Sequence, residues 1–461
     1  MTTTRRIAEW AATAPRTWSA DALRTAHRAF VDTLGVTLAG QAEEVSTRLL
    51  AATAAWGDGA IAILGRSATR PAPWAALVNG AAAHALDFDD VLDPAMAHPS
   101  APLVPALLAL GEETGATWGD VLDAYIVGFE VMARLGEAMN LSHYHRGWHT
   151  TLSLGSPACA VAAARLLGLD VERTHAAFSA ATSMAGGSKQ QFGAMMKPVH
   201  SGLAAKNGLV AARFAEAGIT AAGEIVDGPW GMVAMMAEGA AGSAAMGPLG
   251  APPAIEEHGV WAKRYPSCAS THRPADALLA LKAEGLTAGD VESIVALVSP
   301  AAQANLRYRI PEDPSQARFS LCYCAAAALI DGDLTLASFA PAAIARADVR
   351  ALAERVGMDI HPDLAGSRPV ADVTERTTVI VTTRGGATLR KDVGDPRGHP
   401  RRPLTDAELT EKFLTCAAAG GIAHPQVALE AIESAGPATP VRDILGALTP
   451  RSPAVAAQRA G

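Results

Sequence analysis

The chain has 461 residues, a formal net charge of −8, and 49% hydrophobic residues of which few are aromatic. That length exceeds a usual single core, so two domains are expected, and charge spread without blocks offers no patch for nucleic acid or an anionic membrane. Apolar stretches are broken by Gly, Pro or charge before they could span a bilayer, and the opening MTTTRRIAEWAATAPR lacks the apolar core of a secretory signal, so a cytoplasmic protein is expected.

In chain order, Ser19 heads an amphipathic run that puts Leu23, His27, Phe30 and Leu34 on one helix face. An Ala-rich helix over Trp74–Ala83 leads into HALDFDDVLDPAMAHPSAP at 84–102. Thr117 with Asp120 predicts a capping box ahead of Leu122, Tyr125, Ile126, Phe129 and Met132. Residues 156–168 and 201–217 continue the small-residue helical texture. The pattern breaks at PLGAPPAIEEHG, 248–259, a Pro/Gly-rich connector. Strands follow at Ser293–Ser299 and Thr377–Thr383, the second turning through Arg384-Gly385-Gly386 into Ala387–Val393 as a hairpin. A second connector, 392–403, precedes Thr405 and Glu408, which form another capping-box pattern. The fold expected is mainly α: a large all-helical domain over 1–258, interrupted by a smaller α+β lid domain over 259–400. The helical domain resumes over 401–461 with a disordered tail. Clefts between domains are favoured sites for small ligands.

Chemistry-bearing residues gather in five segments. Asp87, Asp89, Asp90 and Asp93 crowd into seven positions ahead of His98, and charges this dense beside apolar helices cost desolvation energy. Asp89-Asp90-Val91-Leu92-Asp93 spells DDxxD, the pattern with which helical terpenoid enzymes hold magnesium on diphosphate, but no second acidic motif follows. His143, His145 and His149 invite a zinc reading, although no cysteine or carboxylate nearby completes a ligand set. Lys197 precedes Pro198, which biases it toward an extended conformation ahead of a helix, where an ammonium makes a carboxylate-binding corner. Lys263, Arg264, Ser270 and His272 lie just past the first connector and can clamp a polyanion. Tyr323 lies in ARFSLCYC, at the head of an apolar helix. The five cysteines, 159, 268, 322, 324 and 416, form no disulfide framework and no zinc or iron–sulfur spacing.

The succession NGAAAHALDFDD…HPSAP, HYHRGWHTT, MMKPVHSGLAAKNG, KRYPSCASTHRPADA and ARFSLCYCAAAALIDG resembles the MmgE/PrpD family, from about residue 5 to 435. That family includes 2-methylcitrate dehydratases, cis-aconitate decarboxylases and an iminodisuccinate epimerase. The resemblance implies a helical domain interrupted by an α+β lid, a homodimer, a site between the domains, and no metal or organic cofactor. Carried over motif by motif, it implies Asp87, His98, His149, Lys197, Lys263 and Tyr323 as pocket residues. Two departures stand out. Val91 replaces the Thr that many members carry after DFDD, and Cys268 stands where decarboxylase members have histidine.

The family's shared chemistry is proton transfer at a carbon next to a carboxylate. His98 is expected to lead that transfer, because an imidazole titrates near neutrality, with Asp87 orienting it. Lys197 and Lys263 would stabilise the carbanion or enolate. His149 and Tyr323 would assist, and Arg264, Ser270 and His272 would help bind substrate. The expectation is a cofactor-independent lyase of a di- or tricarboxylate, first a 2-methylcitrate-dehydratase-like hydro-lyase. Its competitors are an epimerase of a dicarboxylate, a cis-aconitate-type decarboxylase, and a non-catalytic acid-binding protein.

Overall fold

The computed structural model describes residues 1–365 and 375–449; the expected disordered tail lies outside the described residues. The chain is mainly helical. Helix α1 (Thr3–Thr13) is followed by α2 (Ala20–Gly40), whose N-terminus is closed by the Ser19 side chain accepting from the Ala22 N–H. After a ten-residue helix over Glu44–Thr53 come α3 (Ala72–His84), α4 (Ser100–Thr114) and α5 (Trp118–Met139), the last opened by the expected Thr117–Asp120 capping box. Helices α6 (Gly155–Leu166), α7 (Val171–Thr182) and α8 (Met196–Glu216) complete this part.

Helix α8 starts earlier than the sequence suggests, so Lys197 is helical rather than extended. Pro198 is tolerated there because first-turn N–H groups have no intrahelical partner to lose. Helices α3 and α8 cross with almost no side-chain material between them. A Cβ added at Gly80 would lie 2.9 Å from the Gly202 Cα, and one at Gly202 would lie 2.1 Å from the Leu77 carbonyl oxygen. This close crossing brings the C-terminal end of α3 beside the N-terminal turn of α8.

The second part contains α9 (His272–Ala283), β1 (Val291–Val298), α10 (Leu321–Asp331), β2 (Val356–Ile360), β3 (Thr377–Thr383) and β4 (Thr388–Val393). The sheet order is β2–β1–β3–β4. Strand β1 runs parallel to β2, with Ile294 opposite Val356, and antiparallel to β3, with Ile294 opposite Val381. Strands β3 and β4 form the expected hairpin. The chain then enters α11 (Asp406–Ala419) through the Thr405–Glu408 capping box, and α11 packs on α2.

Two main buried apolar clusters result. One joins α1–α8 to α11, around Phe30, Leu34, Phe129 and Phe413. The other packs α9 and α10 against one face of the sheet, around Leu278, Val298, Tyr323 and Val379. An antiparallel bridge pins the aspartate loop to the segment between them: the Val91 N–H donates to the Trp261 carbonyl at 2.9 Å, and the Trp261 N–H returns to Val91 at 3.1 Å. No helix among the described residues is long and apolar enough to cross a membrane.

Candidate active site

The four aspartates that stand out in the sequence do four different jobs. Asp87, just past the end of α3, has φ of 50°, a left-handed conformation that a non-glycine residue adopts at a cost of about 1–3 kcal/mol. It is 2% exposed. Its Oδ2 accepts from the Lys197 ammonium at 2.5 Å, while its Oδ1 accepts from Lys263, which also donates to the Asp87 carbonyl at 2.8 Å. One buried carboxylate is thus gripped by two ammonium groups. They hold its pKa well below the ordinary value although burial pushes the other way, and the Lys263 pKa is raised in turn by Asp87 against its own desolvation.

Asp89 serves the imidazoles. Its Oδ2 lies 2.7 Å from His84 Nδ1 and 3.2 Å from His98 Nδ1, and the latter also lies 2.8 Å from the Asp90 carbonyl oxygen. Every partner of these Nδ1 atoms is an acceptor, so each Nδ1 carries the proton and each Nε2 presents a lone pair. Burial lowers both histidine pKa values, that of His84 to about 3. Both are therefore neutral bases in the free protein at pH 7. The carboxylate that orients His98 is Asp89, not Asp87, which the two lysines have claimed. Asp90 faces Ser100, whose N–H donates at 3.1 Å and whose hydroxyl is also in contact with it; burial raises this carboxyl to about 7. Asp93 pairs with His399 at 2.9 Å. The DDxxD carboxylates therefore do not converge.

His149, at the N-terminus of a short helix, completes a row of imidazoles. Its Nδ1 lies 2.9 Å from His200 Nδ1, its Nε2 is buried without a partner among the described residues, and its ring stacks 5.7 Å from that of His84. His143 turns away to Ser153 and the Met236 carbonyl, and His145 lies nearer the surface, so the three histidines of that segment form no ligand set. The ligand atoms of His84, Asp89 and His98 do lie within 4.8 Å of one another. A metal would find donors there, but both Nδ1 protons would first have to leave the carboxylate.

A cleft of about 500 Å³ opens beside this group, with His84 the imidazole on its wall. Its walls include His84, Asp87 and Lys197 from the helical part, Gly193–Met195 from the loop before α8, and Asp313, Arg318 and Phe319 from the second part. Arg318 is buried, its nearest carboxylate is Glu43 at 3.5 Å, and its Nε has no partner among the described residues. Lys197 lies 5.1 Å from the centre of the Phe319 ring. Cys268 is buried near Asp87, Lys263 and Lys197, whose charges act on its thiol.

The other expected binding residues stand back from the cleft. Arg264 pairs with Asp333 at 2.8 Å, Ser270 lies 3.5 Å from Asn305, and His272 is buried against the Ser267 carbonyl at 3.3 Å. Tyr323 is placed in the second apolar cluster, where its hydroxyl donates to the Ser338 carbonyl. The helical period from Leu321 turns that side inward, against Phe339. Nearer the cleft is Tyr308, which touches Gly193 and donates to the Phe192 carbonyl at 3.0 Å. The residues missed from sequence are His84, Asp89, His200, Tyr308 and Arg318. For His84 and Asp89 a signal existed, since a histidine five residues before a carboxylate at a helix end can fold back onto it.

The cleft thus presents one imidazole, His84, one ammonium, Lys197, and the Arg318 guanidinium beside the carboxylates of Glu43, Glu44, Asp87 and Asp313, with Lys263 gripping Asp87 from behind. Sequence comparison then assigns the kinship: the chain belongs to the MmgE/PrpD family, its N-terminal domain matching residues 5–243 and its C-terminal domain residues 265–435. It is 31% identical over 419 residues to cis-aconitate decarboxylase of Homo sapiens, covering 85% of this chain and 82% of that protein. The corresponding Mus musculus protein is 30% identical over 413 residues, covering 85% and 81%. Cis-aconitate decarboxylase of Aspergillus terreus is 26% identical over 448 residues, covering 90% and 89%.

Proposed function

We propose that this protein is a lyase of a polycarboxylate, working by proton transfer at a carbon next to a carboxylate. The observation that carries the reading is the Asp87 carboxylate on the cleft wall, gripped by Lys197 and Lys263, with the Asp89-oriented His98 packed 4.5 Å, ring to ring, from the wall residue His84. Two ammonium groups, the positive end of the α8 dipole and Arg318 favour an anionic substrate. The same cations stabilise charge that develops as an enolate or carbanion. His98 Nε2 is the atom that moves the proton, and a positioned group of this kind contributes roughly 10²–10⁴-fold. His149, whose ring stacks on that of His84, assists.

Kinship with the decarboxylases supports cis-aconitate-like acids as substrates. In that reaction the carbon–carboxylate bond breaks, carbon dioxide leaves, and its electron pair delocalises toward a remaining carboxylate. His98, protonated when the trianion binds, then delivers one proton to carbon. Dehydration of a citrate-like acid is the second reading, favoured by the thiol of Cys268 where decarboxylase members have histidine; Val91, which lacks the hydroxyl donor of many members, favours neither. There His98 removes the proton from carbon, the carbon–oxygen bond breaks, and the resulting imidazolium gives that proton to the departing hydroxide, which leaves as water. The α+β part would act as a lid, and the active species would be a homodimer, which light scattering after gel filtration tests.

The deciding experiment is proton NMR in D₂O of EDTA-treated protein with citrate, 2-methylcitrate, cis-aconitate and iminodisuccinate. Methylene alkene signals with deuterium in the product identify decarboxylation of cis-aconitate. New vinyl signals from a hydroxy acid identify dehydration, and inversion with deuterium uptake but no alkene identifies epimerisation. Activity lost to EDTA and restored by a divalent metal refutes the cofactor-independent reading and turns attention to His84, Asp89 and His98.

A further inference from the structure

Lys412 lies on α11, far along the chain from the aspartate loop, and no motif singles it out. It is 8% exposed. Its ammonium donates to the Phe88 carbonyl at 2.9 Å and to the Lys263 carbonyl at 2.8 Å, and lies 2.6 Å from Asp32 Oδ1 on α2. It also sits 3.9 Å from the centre of the Phe88 ring. Of the three protons of this ammonium, two go to main-chain carbonyls, while Asp32 faces it as an ion pair. Both carbonyls belong to the main chain of the cluster around Asp87. Phe88 follows Asp87 directly, and Lys263 supplies one of the two ammonium groups on the Asp87 carboxylate.

The arrangement answers a mechanical problem. Asp87 is held at φ of 50°, and a strained residue persists only where its surroundings over-determine it. Lys197 and Lys263 fix the Asp87 carboxylate and, through its carbonyl, the peptide that joins it to Phe88, but neither contact fixes the peptide one residue further on. Lys412 does, and it ties that peptide to the backbone of Lys263. A buried ammonium is retained only with good partners, and Asp32, itself buried, supplies the compensating charge.

We propose that Lys412 is a positioning residue, which holds Phe88 and Lys263 by their carbonyls and so sets the geometry of the Asp87–Lys263 pair, while Asp32 serves only to neutralise it. Read this way, the helical segment after the second connector completes the active site without touching substrate. The proposal rests on the assignment of Asp87 and Lys263 to the site. Its test therefore includes a readout that needs no substrate.

Lys412→Met removes both carbonyl contacts, whereas Asp32→Asn leaves them in place. Each variant loses buried charge pairing, so both unfold at lower urea than wild type. Only Lys412→Met is expected to lower kcat, by ~10²-fold for an approximately 1 Å misplacement, with KM within about threefold. Lys412→Arg, which keeps donors at that place, recovers part of the rate. Mass-spectrometric mapping of lysine acylation supplies the independent readout: Lys263 becomes more reactive in Lys412→Met than in Asp32→Asn at equal distance below the unfolding midpoint. Equal kcat losses in the two variants, or equal Lys263 labelling, overturns the positioning role. If Lys412→Met does not fold, Lys412→Arg decides, since wild-type kcat/KM with wild-type stability but altered Lys263 labelling contradicts the proposal. Should wild type transform none of the acids, the lyase reading fails, and the labelling result still decides this one.

Discussion

Replacing Asp87 by Asn tests the electrostatic core of the site. The carboxylate faces two ammonium groups inside the protein, one at 2.5 Å. With charge centres about 4 Å apart and an effective dielectric near 20, each attraction is worth about 4 kcal/mol before desolvation. Breaking a buried pair by removing one partner costs about 3–5 kcal/mol, because the other charge is left uncompensated. Here two cations are left. Asp87→Asn should therefore lose about 3–5 kcal/mol at pH 7, read as a lower urea midpoint with an unchanged slope. The sign of the pH dependence follows from the two pKa directions. The Asp87 pKa is lowered on folding, so its stabilisation is complete above the unfolded value of about 3.9 and fades as pH falls through the folded one. The Lys263 pKa is raised, so its share is complete below its unfolded value of about 10.4 and fades only as pH climbs through the folded one. The gap between wild type and variant should stay level from pH 8 to pH 5 and narrow below about pH 4. A loss under about 1 kcal/mol at pH 7, the range of an exposed pair, would refute the buried-clamp argument.

Three further outcomes follow from the same geometry. His98→Ala should lower kcat ~10²–10⁴-fold with KM little changed, and Asp89→Asn should lower it too by freeing both imidazoles; full turnover in either, by the NMR assay, removes His98 from its role. Tyr323→Phe should leave kcat unchanged and cost about 1–3 kcal/mol in urea unfolding, because the Ser338 carbonyl loses its donor; a large kcat loss would return Tyr323 to the active site. Acid should destabilise the protein below pH ~6.5, on the order of 1–4 kcal/mol per pH unit, because buried histidines accept protons only on unfolding. His143 and His200 are lowered to about 4, and His84 and His272 to about 3. Asp90, raised to about 7, opposes them, since between about pH 3.9 and 7 the folded state holds its proton and the unfolded state does not. A midpoint that is flat or rising from pH 7 to pH 5 contradicts the assignment.

What could be read from sequence was local. The capping boxes at Thr117 and Thr405 and the Thr377–Val393 hairpin depend on neighbours within a few positions, and each is present. The site depended on contacts that no spacing announces. Asp87 meets its lysines 110 and 176 residues away, and the parallel pairing of Val291–Val298 with Val356–Ile360 spans a whole helical hairpin's worth of chain. Asp87 and Asp89 are two residues apart, so sequence alone could not tell which would orient a histidine. The sharp turn at Asp87 sends them to different partners. Tyr323 misled because its motif neighbours Arg318 and Phe319 do reach the cleft, while its own place in the helix faces the other way.

The bare crossing at Gly80 and Gly202 has a consequence for how this site can diverge. The distance from His84 to Lys197 is governed by two residues that have no side chain and meet no ligand. A single methyl group at either would wedge the scaffold open, since the atoms in the way are backbone. A saturation-mutagenesis scan should therefore find these two glycines as intolerant as the ionisable groups, while the cleft walls at Ala194, Met195 and Ser315 accept change. New substrate preferences would then arise by redecorating the rim, with the interval between His84 and Lys197 inherited intact.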